Sequence, residues 1–228
     1  LSNDMTDTSE ICSLLLSDSH RGGGNGLLLS RCRFLYLDSF RRHFSEKVFA
    51  EMRGVSDAEG RNPLWDALGS QFFDMAFSEA DMLSGLGNKS FIAELMPKYP
   101  IYVPMLPDAA RAVIGRVHDN TAPALKMLQA EGFNFNGLVD IFDGGPTVEA
   151  YIDDVRAVRL SRLCQVEIGH DLEHAERPGW LVSTTGMVGF RAAWVGRGPS
   201  EDGTLTLTEE EAGRLNVGTG DSLRVLET

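Results

Sequence analysis

A glycine-rich segment near the start of the chain has the residue types and spacing that suit an anion. It reads His20-Arg21-Gly22-Gly23-Gly24-Asn25-Gly26, follows a short apolar run and precedes a long amphipathic stretch. A helix that begins here has backbone N–H groups without internal partners, and its dipole favours a negative charge. Glycines allow a ligand to approach the backbone closely and allow positive φ angles. The segment therefore predicts a phosphate-binding loop.

Two nucleotide-binding motifs do not fit this segment. A dinucleotide fingerprint that starts at Gly22 would need glycine where Leu27 stands. A P-loop would need lysine directly after Gly26, which is also the position of Leu27. A glycine-rich turn without a ligand stays an open alternative, because glycine clusters are common in turns.

Composition narrows the class of protein. The chain has 228 residues, is 43% hydrophobic and carries a formal net charge of −12. An acidic balance argues against nucleic acid or an anionic membrane as a partner, and no apolar run is long enough to cross a membrane. The three cysteines, Cys12, Cys32 and Cys164, form no C-x-x-C pair. They are typical of reduced thiols, and no signal peptide is visible, so we expect a cytoplasmic protein.

The hydrophobic pattern indicates an α/β (α+β) protein in two parts. After about Tyr151 the chain changes to short β-like runs between glycine and acidic turns, which is typical of a small, mostly antiparallel β-barrel. We therefore expect domains at residues 1–150 and 151–228. The first is predicted to contain strand 10–17, helix 27–44, strand 47–53, helix 61–68 ending at Gly69, strand 71–77, helices 91–96, 108–115 and 121–131, and strand 133–142.

Two motifs in order resemble the GNAT superfamily of acyl-CoA-dependent N-acyltransferases. They are the Arg21–Gly26 loop and Leu64-Trp65-Asp66-Ala67-Leu68-Gly69 followed by Phe72-Phe73. Further segments are similar to arginine N-succinyltransferase, with a resemblance that is close to about Arg162 and weakens beyond it. These segments are residues 1–4, 49–55, 91–98 and 141–147. The resemblance implies a GNAT-like mixed sheet whose N-terminal strands are absent from this chain, so that it is a fragment or is completed by another chain.

The resemblance also implies an activity. Members of the family transfer succinyl from succinyl-CoA to the α-amino group of L-arginine, some accept ornithine, and some pair with a paralogous subunit. We therefore expect these two substrates, no metal, and a homo-oligomer or a hetero-oligomer. A non-catalytic paralogous subunit that binds acyl-CoA stays open as an alternative, as does a structural or binding fragment. The residues do not decide between arginine and ornithine.

The resemblance assigns roles to individual residues. The family's succinyl-CoA contact falls on Leu14, and its proposed proton donor falls on His118. Arg21 and the amides of Gly22, Gly24 and Gly26 are expected to hold the CoA pyrophosphate. Histidine titrates near neutrality, which suits a general acid.

Other polar residues are weaker candidates. Glu51 and Glu94 are conceivable as a base or as partners of a guanidinium, with surface ion pairs as the plainer interpretation. Cys12 is conceivable as a nucleophile, although a packed thiol is the plainer role. His170 and His174 lack further metal ligands of known placement, so they favour an acidic loop. Trp65 occupies the position where many GNAT enzymes place a tyrosine acid.

Overall fold

A computed structural model describes residues 4–86, 94–95, 99–169 and 179–228. The chain forms two compact units. Unit 1 comprises Leu1–Cys12, Phe49–Gln129 and Phe133–Glu149, and unit 2 comprises Ser13–Val48, Ala130–Gly132 and Ala150–Thr228. The sequence-based division into residues 1–150 and 151–228 stays a prediction.

A four-stranded sheet has the order β1-β2-β4-β3. The last two strands are antiparallel, with Phe135 opposite Val148. Asp140 N–H donates to the carbonyl of Gly145 across the turn that joins them, at 2.8 Å. The pattern predicted β2 and β3, but it missed β4. The four strands are β1 (Ser9–Glu10), β2 (Lys47–Glu51), β3 (Asn134–Val139) and β4 (Pro146–Tyr151).

Seven α-helices are seen in the described residues. The last of them begins at a capping box, in which Thr208 and Glu211 each accept a hydrogen bond from the other's backbone N–H. The predicted helix 91–96 lies largely outside the described residues. The helices are α1 (Asn25–Ser39), α2 (Ser70–Phe73), α3 (Phe77–Gly85), α4 (Asp108–Val113), α5 (Ala122–Ala130), α6 (Arg156–Leu160) and α7 (Glu209–Leu215).

The prediction of a strand at 71–77 was wrong. A π-helical segment at Trp65–Gly69 runs directly into α2, and α3 follows at Phe77. Trp65 and Phe73 lie two helical turns apart and stack with ring centroids 5.3 Å apart. Gly69 does not end the helix. A Cβ at Gly69 would lie 2.3 Å from an atom of the Trp65 ring, so its lack of a side chain makes room for that ring.

The prediction of a buried strand at 10–17 was also wrong. Only Ser9–Glu10 is a strand, and Ile11 N–H still donates to the carbonyl of Phe49 at 2.9 Å. Ser13 then adopts a φ of 55°, which breaks the extended backbone. Leu15 is 85% exposed as a result.

Unit 2 contains a mixed five-stranded half-barrel with the order β7-β6-β9-β5-β8. The pair β5 and β8 is parallel, whereas β6–β7, β6–β9 and β5–β9 are antiparallel. Helix α1 packs against α6, β6 and β7. Arg224 of β9 forms an ion pair with Asp38 of α1. The strands are β5 (Arg162–Ile168), β6 (Trp180–Thr184), β7 (Ala192–Val195), β8 (Thr204–Leu207) and β9 (Ser222–Glu227).

Candidate functional site

The glycine-rich loop of unit 2 has the backbone that its sequence predicts. Gly22, Gly23 and Gly24 have φ angles of 101°, 57° and 79°, a region that other residues rarely adopt. The Asn25 side chain closes the loop, because its Nδ2 donates to the carbonyl of His20 at 2.9 Å. Helix α1 then begins at Asn25. The loop is thus a tight turn that ends at a helix N-terminus.

The first turn of α1 offers amides to a ligand. The first hydrogen bond of the helical ladder runs from Leu28 N–H to the Gly24 carbonyl at 2.9 Å. The N–H groups of Gly26 and Leu27 precede that bond, so they have no acceptor within the helix. No acidic side chain lies in the first turn. The positive end of the helix dipole is therefore not offset by a carboxylate within that turn.

Arg21 stands at the entrance of this loop. Its side chain is 71% exposed, and its guanidinium lies 2.9 Å from the carboxylate of Asp18. An exposed ion pair of this kind contributes at most about 1 kcal/mol. Arg21 can therefore exchange Asp18 for a phosphate at little cost.

The segment before the loop presents unpaired backbone. Leu14, Leu15 and Leu16 belong to neither a helix nor a strand. In the part of the chain that the structure describes, no acceptor pairs with their N–H groups. An extended ligand could take these amides as hydrogen-bond donors.

His118 belongs to unit 1, where it is half-buried at the start of the turn that leads into α5. Its Nδ1 accepts a hydrogen bond from Asn120 N–H at 3.1 Å. The neutral ring therefore carries its hydrogen on Nε2, which can donate a hydrogen bond to a ligand. His118 N–H donates to the Arg53 carbonyl at 2.9 Å, which ties the turn to the segment that follows β2.

A polar cluster of unit 1 holds the backbone next to the His118 turn. Gly54 pairs with Val117 in an isolated β-bridge. The Asp143 carboxylate accepts from Gly54 N–H at 2.6 Å and from Gly145 N–H at 2.7 Å. Asn62, which is fully buried, donates to the Asp143 carbonyl at 2.8 Å. These hydrogen bonds fix the backbone of Gly54, which pairs with Val117 directly before His118.

The remaining candidates have plainer surroundings. Trp65 is buried and donates from Nε1 to the Met75 carbonyl at 3.0 Å, so it is a core residue. Glu51, Glu94 and Cys12 are exposed. His170 and His174 lie outside the described residues.

Across the ranges that the structure covers, no group of three or more His, Cys, Asp or Glu side chains could hold a metal ion. No helix within those ranges is long and apolar enough to span a membrane.

The predicted site residues fall in both units. Those assigned to CoA lie together in unit 2, and they are Leu14, Arg21, Gly22, Gly24 and Gly26. His118 belongs to unit 1. Asn62 and Asp143 were missed as supports of the His118 turn. Asn62 directly before Pro63 was an available signal, since Asn followed by Pro is a common helix start, and its Oδ1 does accept from Trp65 N–H at 2.8 Å.

Known proteins resemble this chain over nearly all of its length. The family described as arginine N-succinyltransferase beta subunit matches residues 1–157, and that family's C-terminal domain matches residues 162–227. The match therefore continues past Arg162, where the resemblance read from the sequence becomes weak.

Individual relatives agree with the family match. Arginine N-succinyltransferase subunit beta of Pseudomonas aeruginosa is 49% identical over 226 residues, which are 99% of this chain and 66% of that protein. Arginine N-succinyltransferase of Yersinia pseudotuberculosis is 49% identical over 231 residues, with the same shares. A solved structure of arginine/ornithine succinyltransferase subunit AI from P. aeruginosa has a TM-score of 0.84 at 34% identity, over 96% of this chain and 62% of that one. This chain thus spans slightly less than two thirds of these relatives, and it belongs to the arginine N-succinyltransferase beta subunit family.

Proposed function

We propose that this chain takes part in the transfer of succinyl from succinyl-CoA to the α-amino group of L-arginine, as part of arginine breakdown by the succinyltransferase route. The single observation that carries the proposal is the family match over residues 1–157 and 162–227. The left-handed glycines that lead into α1 support it, because they suit the pyrophosphate of CoA. Such a reaction uses intracellular metabolites, so we also propose a cytoplasmic location.

The glycine-rich loop is proposed to hold the CoA pyrophosphate. The N–H groups of Gly22 to Gly24, Gly26 and Leu27 would donate to its oxygens, and the Arg21 guanidinium would leave Asp18 to neutralise its charge. The free amides at Leu14–Leu16 would donate to the pantetheine arm and the thioester carbonyl. We also propose a GNAT-type sheet, which the order of the glycine-rich loop and the helix that follows it supports.

The proposed chemistry is aminolysis of a thioester. The α-ammonium of arginine loses a proton to solvent water, and the free nitrogen then forms a C–N bond with the succinyl carbonyl carbon. Amide donors stabilise the oxyanion that results. The C–S bond breaks and the nitrogen's second proton goes to the leaving CoA sulfur; His118 gives general-acid assistance through a hydrogen bond from Nε2–H to that sulfur, because its Nδ1 is held by Asn120 N–H. The products are N-succinylarginine and free CoA.

Activity is tested by mass spectrometry of the product. The purified chain is incubated with succinyl-CoA and arginine labelled with ¹⁵N at the α-amino group, and labelled N-succinylarginine is expected. Acetyl-CoA and ornithine, offered in parallel, measure the specificity. His118→Ala is expected to lower kcat by at least about 100-fold, as is typical for the loss of a general acid. His43→Ala, at an exposed position, is the matched control. A loss below about tenfold in His118→Ala removes His118 from this role.

A second candidate function is that of a subunit that binds acyl-CoA without catalysis. The word "subunit" in the names of the relatives from P. aeruginosa favours it, and for the same reason we propose a homo-oligomer or a pair with a paralogous chain. In that case the chain binds CoA but forms product only when a paralogous chain is added. Product formed by this chain alone rules the second candidate out.

A further inference from the structure

Trp194 of strand β7 lies against the glycine-rich loop. A Cβ placed at Gly24 would lie 3.5 Å from the indole Nε1 and 3.7 Å from Cε2 and Cζ2. Both residues belong to unit 2, and α1 packs directly on β6 and β7. An aromatic ring of the C-terminal sheet therefore packs against the loop at Gly24.

The indole N–H of Trp194 is buried and has no hydrogen-bond partner among the described residues. Trp65 shows the usual arrangement, since its Nε1 donates to a backbone carbonyl at 3.0 Å. A buried donor without an acceptor destabilises the folded chain, so such donors are rare. The indole donor of Trp194 thus lies unpaired beside the loop, where the N–H groups of Gly26 and Leu27 also have no acceptor within the helix.

The loop has room to bring an acceptor to this donor. Gly22, Gly23 and Gly24 are exposed, and the Cβ positions of Gly22 and Gly23 have open space around them. A ligand can therefore approach Gly22 and Gly23 without meeting a neighbouring atom at their Cβ positions. A ligand that binds to them carries its oxygens to the neighbourhood of the indole nitrogen.

We propose that Trp194 is a binding residue of the loop, with its ring supporting Gly24 and its Nε1–H donating to a phosphoryl oxygen of the bound diphosphate. The inference rests on the proposed function and extends it, because it gives the C-terminal sheet a part in acyl-CoA binding. The ligand class is a diphosphate ester. Pantetheine, which lacks the phosphates, does not depend on Trp194.

The direct test is an NMR titration of the indole N–H groups. The chain has three tryptophans, so ¹⁵N-labelled indoles give three signals, which Trp180→Phe and backbone assignment identify. Addition of CoA is expected to move the Trp194 signal downfield by more than the signals of Trp65 and Trp180. This measurement uses the unsubstituted chain, so it holds even if a substitution at Trp194 prevents folding.

Affinity gives the second readout. Trp194→Phe keeps a ring under Gly24 but removes the donor, and it is expected to weaken CoA binding about tenfold or more, as the loss of a hydrogen bond to a charged group implies. Pantetheine affinity is expected to stay unchanged. Trp180→Phe, in the same sheet, is the matched control and is expected to leave both affinities as they are.

The outcomes separate this inference from the proposed function. If CoA binds but the Trp194 signal does not move, or if Trp194→Phe weakens CoA and pantetheine equally, the inference is wrong and the proposed function stands. If the unsubstituted chain binds no CoA, the proposed function itself fails. A selective loss of CoA affinity together with the downfield shift supports the inference.

Discussion

Gly26→Ala should change stability and ligand affinity in opposite directions. Gly26 is the second residue of α1, and its φ is not in the left-handed region. A Cβ there would contact only the Cδ2 atom of Leu16, at 4.0 Å, which is an ordinary van der Waals distance. Alanine is the better helix former, so the free energy of unfolding should rise by about 0.5 kcal/mol. The melting temperature should rise by about 1–2 °C.

The same methyl group should weaken CoA binding. If the Gly26 amide donates to a phosphate, a Cβ beside that amide keeps the phosphate at a distance. The loss of one hydrogen bond to a charged group is about 1.5–3 kcal/mol. This corresponds to a dissociation constant about 10–100-fold higher. Isothermal titration calorimetry with CoA gives the affinity, and thermal unfolding without ligand gives the stability.

Gly213→Ala is the matched control for this experiment. Gly213 lies in helix α7 of the same unit, is exposed, and has no atom within 4 Å of its Cβ position. It should show the same gain in stability and no change in CoA affinity. If Gly26→Ala binds CoA as tightly as the unsubstituted chain, the first turn of α1 does not hold the pyrophosphate.

Two further predictions concern buried groups. Glu131 is 1% exposed and pairs with Arg31 at 2.6 Å, so Arg31→Ala leaves a buried carboxylate with weaker partners. The free energy of unfolding should fall by about 3 kcal/mol in urea denaturation, and a loss below about 1 kcal/mol would contradict the account. Burial raises the pKa of the Cys32 and Cys164 thiols, so Ellman's reagent should label exposed Cys12 first. Cys12→Ser should abolish this fast phase, and a fast phase that persists would show that a buried thiol is open to solvent.

The glycine-rich loop could be predicted because its signals are local. Three successive glycines allow positive φ angles whatever surrounds them, and a helix follows where the amphipathic pattern starts. The start of β2 and the strands of the C-terminal sheet were predicted for a similar reason, since their apolar patterns match their burial.

The errors arose where tertiary packing decided the structure. Residues 71–77 have the aromatic density of a strand, but Trp65 and Phe73 share one helical face and stack. Residues 10–17 are apolar enough for a buried strand, yet the positive φ of Ser13 ends the strand early. A short apolar run does not distinguish these cases, because its burial depends on partners far along the chain.

The supports of the site were missed because they are non-local. Trp194 meets Gly24 across 170 residues of sequence (194 minus 24), and Asn62 meets Asp143 across 81. Neither spacing corresponds to a motif. Only the three-dimensional structure brings these residues together, although Asn62 before Pro63 carried a local signal of its own.

The central claim is that CoA binds at the loop before α1. Hydrogen–deuterium exchange of the whole chain, with and without saturating CoA, tests it most directly. Slower exchange is expected at residues 14–16, 22–24, 26 and 27, whose amides have no partner in the described structure, and little change is expected in α7. Slower exchange confined to other parts of the chain, with residues 22–27 unaffected, would contradict the claim.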